Sequence, residues 1–355
     1  MKPKLIEYIR CIYCRGGLEL KAFETAPRGG GEPDEIMTGL LSCKHCGAAY
    51  PVTSGIPRML RDSMNDHGPA LIPFLDKHGL TDAKKQISAK NELSPEIRQV
   101  KESFELQWEK WGMESRIFGM DKKENFDHVL ANMFHPDMKI DEMKGRLICE
   151  AGCGHGMLVE ALAERCGEII GFDVGEGIRV AYARGNEFPN THYIQASVLT
   201  PPFEKSTFDF LFSRGVIHHT PNTRLAFAKL AEIVTPGGYY SIWVYPIRGA
   251  AFETVTKAAR AVTTRLPRKT LYHICRAIVP LLTIFPAYSG TSLKNSNWRQ
   301  CSQVAFDFLA PKYQTHHSEQ EVREWFEEEC FDKIASRPDP ISMTGRKRNV
   351  PTEKT

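Results

Sequence analysis

Two pairs of cysteines, Cys11-x-x-Cys14 and Cys43-x-x-Cys46, sit in turn-forming contexts, "CIYCRGG" and "CKHCGAAY". Four thiolates in two such knuckles suit a tetrahedral site for a structural zinc ion, with iron as the second choice. A single pair would read as a redox couple instead. His45, between the second pair, reads as a solvent-facing or outer residue and not as a ligand. Further along, "CEAGCGHG" crowds Gly152, Gly154 and Gly156 into a few positions. Glycine allows tight turning and lets a ligand lie against bare backbone; the plainer reading is close packing of a helix on a strand. The G-x-G-x-G run matches neither the G-x-G-x-x-G dinucleotide fingerprint nor a phosphate loop. The histidines form the last grouping. "GVIHHTPN" holds His218 and His219, and "APKYQTHHS" holds Tyr313, His316 and His317. Imidazole is suited to accept a proton near neutral pH, so His218, His219, Tyr313 and His317 are the candidate catalytic residues. The competing roles are loop packing and, for His317, entry into the helix that Ser318 caps. As a metal site these histidines lack a spacing signature.

Groups this far apart need a scaffold, and the middle of the chain supplies one. "RLICEA" precedes "GMLVEALAERC", "EIIGFDV" precedes "GEGIRVAYAR", and "THYIQAS" leads through a loop to "FDFLFSRG". "TRLAFAKLAEIV" then precedes "GGYYSIWVY". Strands alternating with helices predict a parallel sheet covered on both faces, with ligands held above the carboxyl ends of the strands. The glycine run falls at the first such end and Asp173 at the second, where a carboxylate can accept both hydroxyls of a ribose. Gln195-Ala196-Ser197 ends the third strand, where an adenine edge could be read; "SRGVIHH" ends the fourth. The fifth is expected to follow the turn "TPGG". Upstream, Ser94 and Pro95 open a predicted helix whose Phe104, Trp108 and Trp111 form one apolar stripe, either core packing or a lid. Downstream, Ser318 and Glu321 form a capping-box start, followed by two closing strands in "DKIASRP" and "ISMTGRK".

"ICEAGCGHG", "GFDVGEGI", "FDFLFSRGVIHHTPN" and "VTPGGYYSIWVYP" resemble, in order, the motifs of the class I S-adenosylmethionine-dependent methyltransferases (type 11-like). The resemblance covers roughly residues 126–245 and, more loosely, the C-terminal helix and strands. It implies an α/β fold: a Rossmann-like sheet of seven strands, the last antiparallel, with S-adenosylmethionine lying across the strand tips. It implies that Glu150, Ala151, Gly152, Cys153, Gly154 and Gly156 line the methionine half of that cofactor. Asp173 and Val174 would meet the ribose, Ser197 and Val198 the adenine, and Ser213 and Arg214 the methionine moiety. Ser197 stands where the family commonly has an aspartate, and a hydroxyl accepts less strongly from an exocyclic amine. "LIEYIRCIYCRGGLEL" and "GLLSCKHCGAAYPVTSGIPRML" resemble the small zinc-ribbon activators of tRNA, rRNA and release-factor methyltransferases. Zinc would there be a folding staple, a docking element, or both.

The expected organisation is a zinc ribbon over 1–61, a helical linker or lid over 62–125, the methyltransferase domain over 126–345 with a helical insertion at about 246–310, and a flexible tail over 346–355. The insertion carries Arg248, Lys257, Arg260, Arg265, Arg268, Lys269 and Arg276 against Glu253, then the apolar, proline-broken "ICRAIVPLLTIFPAY". Such a segment fits peripheral membrane contact, a pocket for an amphipathic acceptor, or a simple cap on the core. With 355 residues, 42% hydrophobic and 25% charged, the chain reads as an ordinary globular protein. The stretch "MKPKLIEYIRCIYC" holds no apolar run long enough for a signal peptide, and no segment offers the roughly 20 apolar residues that would span a bilayer. Ten cysteines without an export signal suggest the reducing cytoplasm. A formal charge of +3 does not favour nucleic acid as a partner. The leading expectation is O- or C-methylation of a small molecule that is apolar, lipid-linked or glycan-linked. The alternatives are a tRNA or rRNA methyltransferase that docks through the ribbon, and a non-catalytic cofactor-binding protein; the oligomeric state is left open.

Overall fold

The alternation in "LELKAFETA" and "EIMTGLLSC" is answered by two antiparallel strands, β1 (Leu18–Ala26) and β2 (Glu35–Cys43). The stretch between the cysteine pairs is therefore a hairpin, turned at its tip by Gly29, Gly30 and Gly31 with positive φ. Strands β3 (Ala49–Thr53) and β4 (Ile56–Pro57) complete a four-stranded sheet in the order β1-β2-β3-β4. Short helical segments follow at Ser63–Asp66, Ile72–Lys77 and Thr81–Lys85. The computed structural model describes residues 1–87, 106, 123–282 and 298–349. The predicted helix start at Ser94-Pro95, the stripe of Phe104, Trp108 and Trp111, and the end of the tail lie outside the described residues.

Helix α1 (Lys123–Met133) leads into the second sheet. Its strands are β5 (Leu147–Ala151), β6 (Glu168–Asp173), β7 (Thr191–Gln195), β8 (Phe208–Arg214), β9 (Val234–Trp243), β10 (Phe331–Ser336) and β11 (Ser342–Lys347). Between them run α2 (Met157–Ala163), α3 (Gly177–Gly185) and α4 (Thr223–Ala231). The strand order is β10-β11-β9-β8-β5-β6-β7, parallel from β5 to β9, with β11 antiparallel to both its neighbours. This is the seven-stranded architecture that the motifs imply. Ile148, Cys149, Phe210, Leu211 and Phe212 are fully buried, as strands covered on both faces require. Successive connections run to opposite sides of β5, which leaves a crevice above its tip. The strand β11 reaches Lys347, past the expected domain end at 345.

One expectation is corrected in β9. The "TPGG" turn does not precede the strand but interrupts it: Val234 pairs with Phe208 and Tyr239 with Phe210, so Thr235–Gly238 bulge from the ladder. A side chain on Gly238 would come within 2.8 Å of the Asp209 carbonyl, which explains the glycine.

The two sheets meet along β7. Arg58 bridges Gln195 in parallel, the Met59 N–H donates to the Gln195 carbonyl at 2.8 Å, and Ile9 bridges Phe203. Cys11, Cys43, Tyr50 and Val52 share one apolar core with Phe172, Ile194 and Phe203. Burying Phe203 in this seam contributes about 2–3 kcal/mol.

The insertion consists of α5 (Ala250–Thr263), α6 (Arg268–Leu282) and α7 (Trp298–Leu309), followed by α8 (Glu319–Glu328). Leu271 and Cys275 of α6 pack with Ala305 and Phe306 of α7 and with Leu106. Arg260, one of the insertion's basic residues, is drawn inward. Its guanidinium donates to the carbonyls of Phe308 at 2.6 Å and Pro311 at 2.7 Å, and to Gln314 Oε1 at 2.7 Å. Burial lowers its pKa to about 10.

Candidate functional site

The four cysteines of the ribbon converge. Their sulfurs all lie within 4.8 Å of one another, with Cys14 and Cys43 at 3.4 Å and Cys11 and Cys46 at 3.6 Å. Tetrahedral Zn–S bonds of about 2.3 Å require sulfurs about 3.8 Å apart, so the cluster fits zinc. The Tyr50 hydroxyl lies 3.1 Å from Cys11 Sγ, and its O–H can donate to a thiolate there. His45 is exposed and outside the cluster, as expected.

At the tip of β5, Gly152, Gly154 and Gly156 have φ of 82°, 52° and 76°, a region that other L-residues avoid. A Cβ on Gly152 would lie 2.4 Å from Val216, and one on Gly156 would lie 2.6 Å from Ala181 of α3. Close packing by the chain itself therefore accounts for these two glycines. At Gly154 the backbone is used differently, for its N–H donates to Asp173 Oδ2 at 2.9 Å. Asp173 Oδ1 accepts from the Gly175 N–H at 2.8 Å. The carboxylate is thus clamped between two loops, and each oxygen keeps a further lone pair. Burial raises its pKa, while the N–H groups of Gly175, Gly154 and Val174 oppose the rise.

The neighbouring tips are tied together. Ser213 of β8 is buried and donates to the Ala151 carbonyl at 2.9 Å. Cys153 is buried, which pushes its thiol up. The Val174 carbonyl accepts from Gln195 Nε2 at 3.1 Å, Ser197 Oγ accepts from the Leu199 N–H at 3.2 Å, and Val198 is buried. Glu150 is the exception. Its side chain is buried, and Oε2 has no hydrogen-bond partner among the described residues. Burial, then the nearby Asp173, raises its carboxyl well above the ordinary range. Arg214, expected beside the methionine moiety, gives its guanidinium to Asp339 at 3.1 Å and to Ser342 Oγ at 3.4 Å. That charge is already neutralised by a carboxylate from the loop before β11.

Beyond β8 the chain passes Gly215 and Val216 and turns at Ile217–His219. His218 is fully buried, and neither ring nitrogen has a hydrogen-bond partner among the described residues. Its ring lies 4.1 Å from that of Tyr245 and 4.2 Å from that of His219. Burial lowers its pKa well below the usual value, and His219, His317 and His316 lower it further. His219 Nδ1 donates to the Tyr313 carbonyl at 3.1 Å, so Tyr313 contributes backbone here. His317 takes the helix-entry role. Nδ1 meets Glu321 at 3.0 Å, Nε2 meets Thr315 Oγ1 at 3.0 Å, and the ring packs on Trp325. Only half of the capping box forms: Ser318 Oγ accepts from the Glu321 N–H at 3.1 Å, while the Glu321 carboxylate turns to His317.

Several members of this cluster escaped the sequence reading. The Tyr245 hydroxyl donates to Asp307 Oδ2 at 2.8 Å, and Glu253 pairs with His316 Nδ1 at 2.5 Å. Tyr245 closes the fifth strand segment "WVYP", a signal that was available. Asp307 and Glu253 meet partners 62 and 63 residues away and carry no local signal.

Comparison with known proteins agrees with this geometry. Residues 149–242 match the methyltransferase domain family, and residues 2–55 match the Trm112p-like protein family. Along the chain, a match to the Trm112p-like family thus precedes a match to the methyltransferase domain family. An uncharacterised methyltransferase of Mycobacterium tuberculosis is 30% identical over 112 residues, 30% of this chain and 56% of the relative. The ubiquinone biosynthesis O-methyltransferase of Paracidovorax citrulli is 27% identical over 132 residues, 36% of this chain and 56% of the relative. The chain thus spans about half the length of these relatives. Among solved structures, a chain from the complex of the Haloferax volcanii Trm112 methyltransferase activator with a candidate methyltransferase is 14% identical, with a TM-score of 0.43 over 69% of this chain and 97% of that one.

Proposed function

We propose that the protein transfers a methyl group from S-adenosylmethionine to an oxygen or acidic carbon of a small, largely apolar acceptor, with His218 as general base. The observation that carries this reading is the sealed His218 imidazole with both nitrogens unpartnered. With its pKa held low by burial, His218 is neutral near pH 7, and one ring nitrogen keeps a free lone pair to accept a proton from an acceptor bound against it. The rim fits the cofactor. Asp173 retains lone pairs for two ribose hydroxyls, Gly154 and Gly175 hold its carboxylate at the strand tip, and Ser197 and Val198 stand at the adenine end. The orphaned Glu150 Oε2 supplies an acceptor for a cationic amino-acid head. When bound, S-adenosylmethionine supplies a methyl group activated on its sulfonium. Helices α5 and α7, through Glu253, Asp307 and Phe308, roof the histidines, and the roof must part to admit an acceptor and close to exclude water. The O-methyltransferase relative supports a small-molecule acceptor. Labelled S-adenosylmethionine incubated with lipid, metabolite, RNA and protein fractions tests this. Label in lipid or metabolite fractions, lost in His218→Gln, is the expected result; label only in RNA or protein refutes it.

A further inference from the structure

Helix α5 has two unlike faces. The inner one carries Phe252, Thr256, Arg260 and Thr263. Thr263 donates to the Leu309 carbonyl at 2.9 Å, and the Phe252 and Phe308 rings lie 5.9 Å apart. The outer one repeats at three- and four-residue steps through Ala251, Val255, Ala258 and Val262, and all four are exposed. Val255 is 68% and Val262 is 62% exposed. Ile247, Ile274 and Trp298 of the same insertion are exposed as well. A helix on a water-facing surface ordinarily places charge on its outer face, and an aliphatic row there marks a contact surface.

The charges around this row have one sign. Arg248, Lys257, Arg265 and Lys269 are exposed and form no ion pair among the described residues. Glu253, the acidic residue of α5, is committed to His316. An aliphatic row bordered by unpaired cations is the pattern of a helix lying in the headgroup boundary of an anionic membrane. RNA phosphates would account for the cations but leave Val255 and Val262 without a role. No described helix is long and apolar enough to cross a membrane, so the contact would lie in the membrane plane.

We propose that α5 and α6 dock on an anionic phospholipid surface, so that the helix roofing His218 is also the one touching the lipid, and that the acceptor is lipid-borne. The second half rests on the methyltransferase reading; the docking does not. The test is flotation of the full chain, without cofactor, with vesicles of phosphatidylcholine alone or mixed with phosphatidylglycerol. Binding to the mixed vesicles is expected, with loss of at least tenfold in affinity for the Val255→Asp/Val262→Asp double variant. Lys257→Gln and Lys269→Gln should each weaken it about fivefold. Asp173→Ala should bind vesicles as the parent does, which separates docking from methyl transfer. Failure of the parent to float with the mixed vesicles overturns docking. Equal binding by the double variant, or tighter binding to an RNA oligonucleotide that the valine changes leave intact, overturns it too. If docking holds but label never enters lipid, the lipid-borne acceptor is overturned alone.

Discussion

Both carboxylate oxygens of Glu176 lie 3.2 Å from the guanidinium of Arg58, which joins the end of the ribbon to the loop that leaves Asp173. Gln195 closes the triangle, accepting from Arg58 at 3.1 Å and donating to Glu176 at 2.9 Å. Removing the buried member, Arg58→Ala, strands a carboxylate and an amide oxygen. The expected loss is about 3 kcal/mol, the low end for a broken buried pair because Glu176 is partly exposed. Urea denaturation measures it, and Arg58→Lys should recover less than half, since lysine lacks the planar fork.

Metal removal should act beyond the ribbon. Because Cys11 and Cys43 share a core with Phe172 and Phe203, a chelator or Cys14→Ser should lower the melting temperature of the whole chain. Two separate transitions, with the sheet unaffected, would contradict a shared core. Metal analysis of the parent should return one zinc per chain.

Cofactor affinity should depend on the clamped carboxylate. Asp173→Ala is expected to weaken S-adenosylmethionine binding roughly 10–100-fold, the value of hydrogen bonds to a charged acceptor. Calorimetric titration reads this directly. Equal affinity in parent and variant would remove Asp173 from the ribose contact.

His218→Gln should lower kcat by about 10²–10⁴-fold with little change in cofactor affinity. His317→Gln should change kcat far less, because both ring nitrogens of His317 are engaged in holding the entry to α8. The reverse ranking would move the base to the other end of the cluster.

The same burial predicts acid sensitivity. His218 and His219 have folded pKa values below the unfolded value of about 6.5. Below that pH the unfolded chain binds protons that the native one refuses, so stability is present above about pH 6.5 and falls as the pH drops. The slope is about 1.4 kcal/mol per pH unit for each such histidine. Urea midpoints across the acid range should show it, and His218→Gln should flatten the slope by one proton.

The sheet was legible because its strands are short apolar runs with turn signals between them, and Asp173 and the cysteines are marked by position and spacing. What stayed hidden is what depends on distant partners. Arg260 looks like any helix cation until Phe308, Pro311 and Gln314 fold over it. Arg214 ends its strand as expected, yet Asp339, 125 residues on, claims its charge. Gly152 and Gly156 were read partly for a ligand, but their close neighbours are Val216 and Ala181 of the same chain.

The parallel bridge between Arg58 and Gln195 seats the ribbon on what would otherwise be the bare edge of β7. Tethering makes that docking intramolecular. Dilution cannot separate the two parts, and their stoichiometry is one to one by synthesis. Supply of a diffusing ribbon subunit therefore has no purchase on this chain; abundance of the whole chain remains as the control.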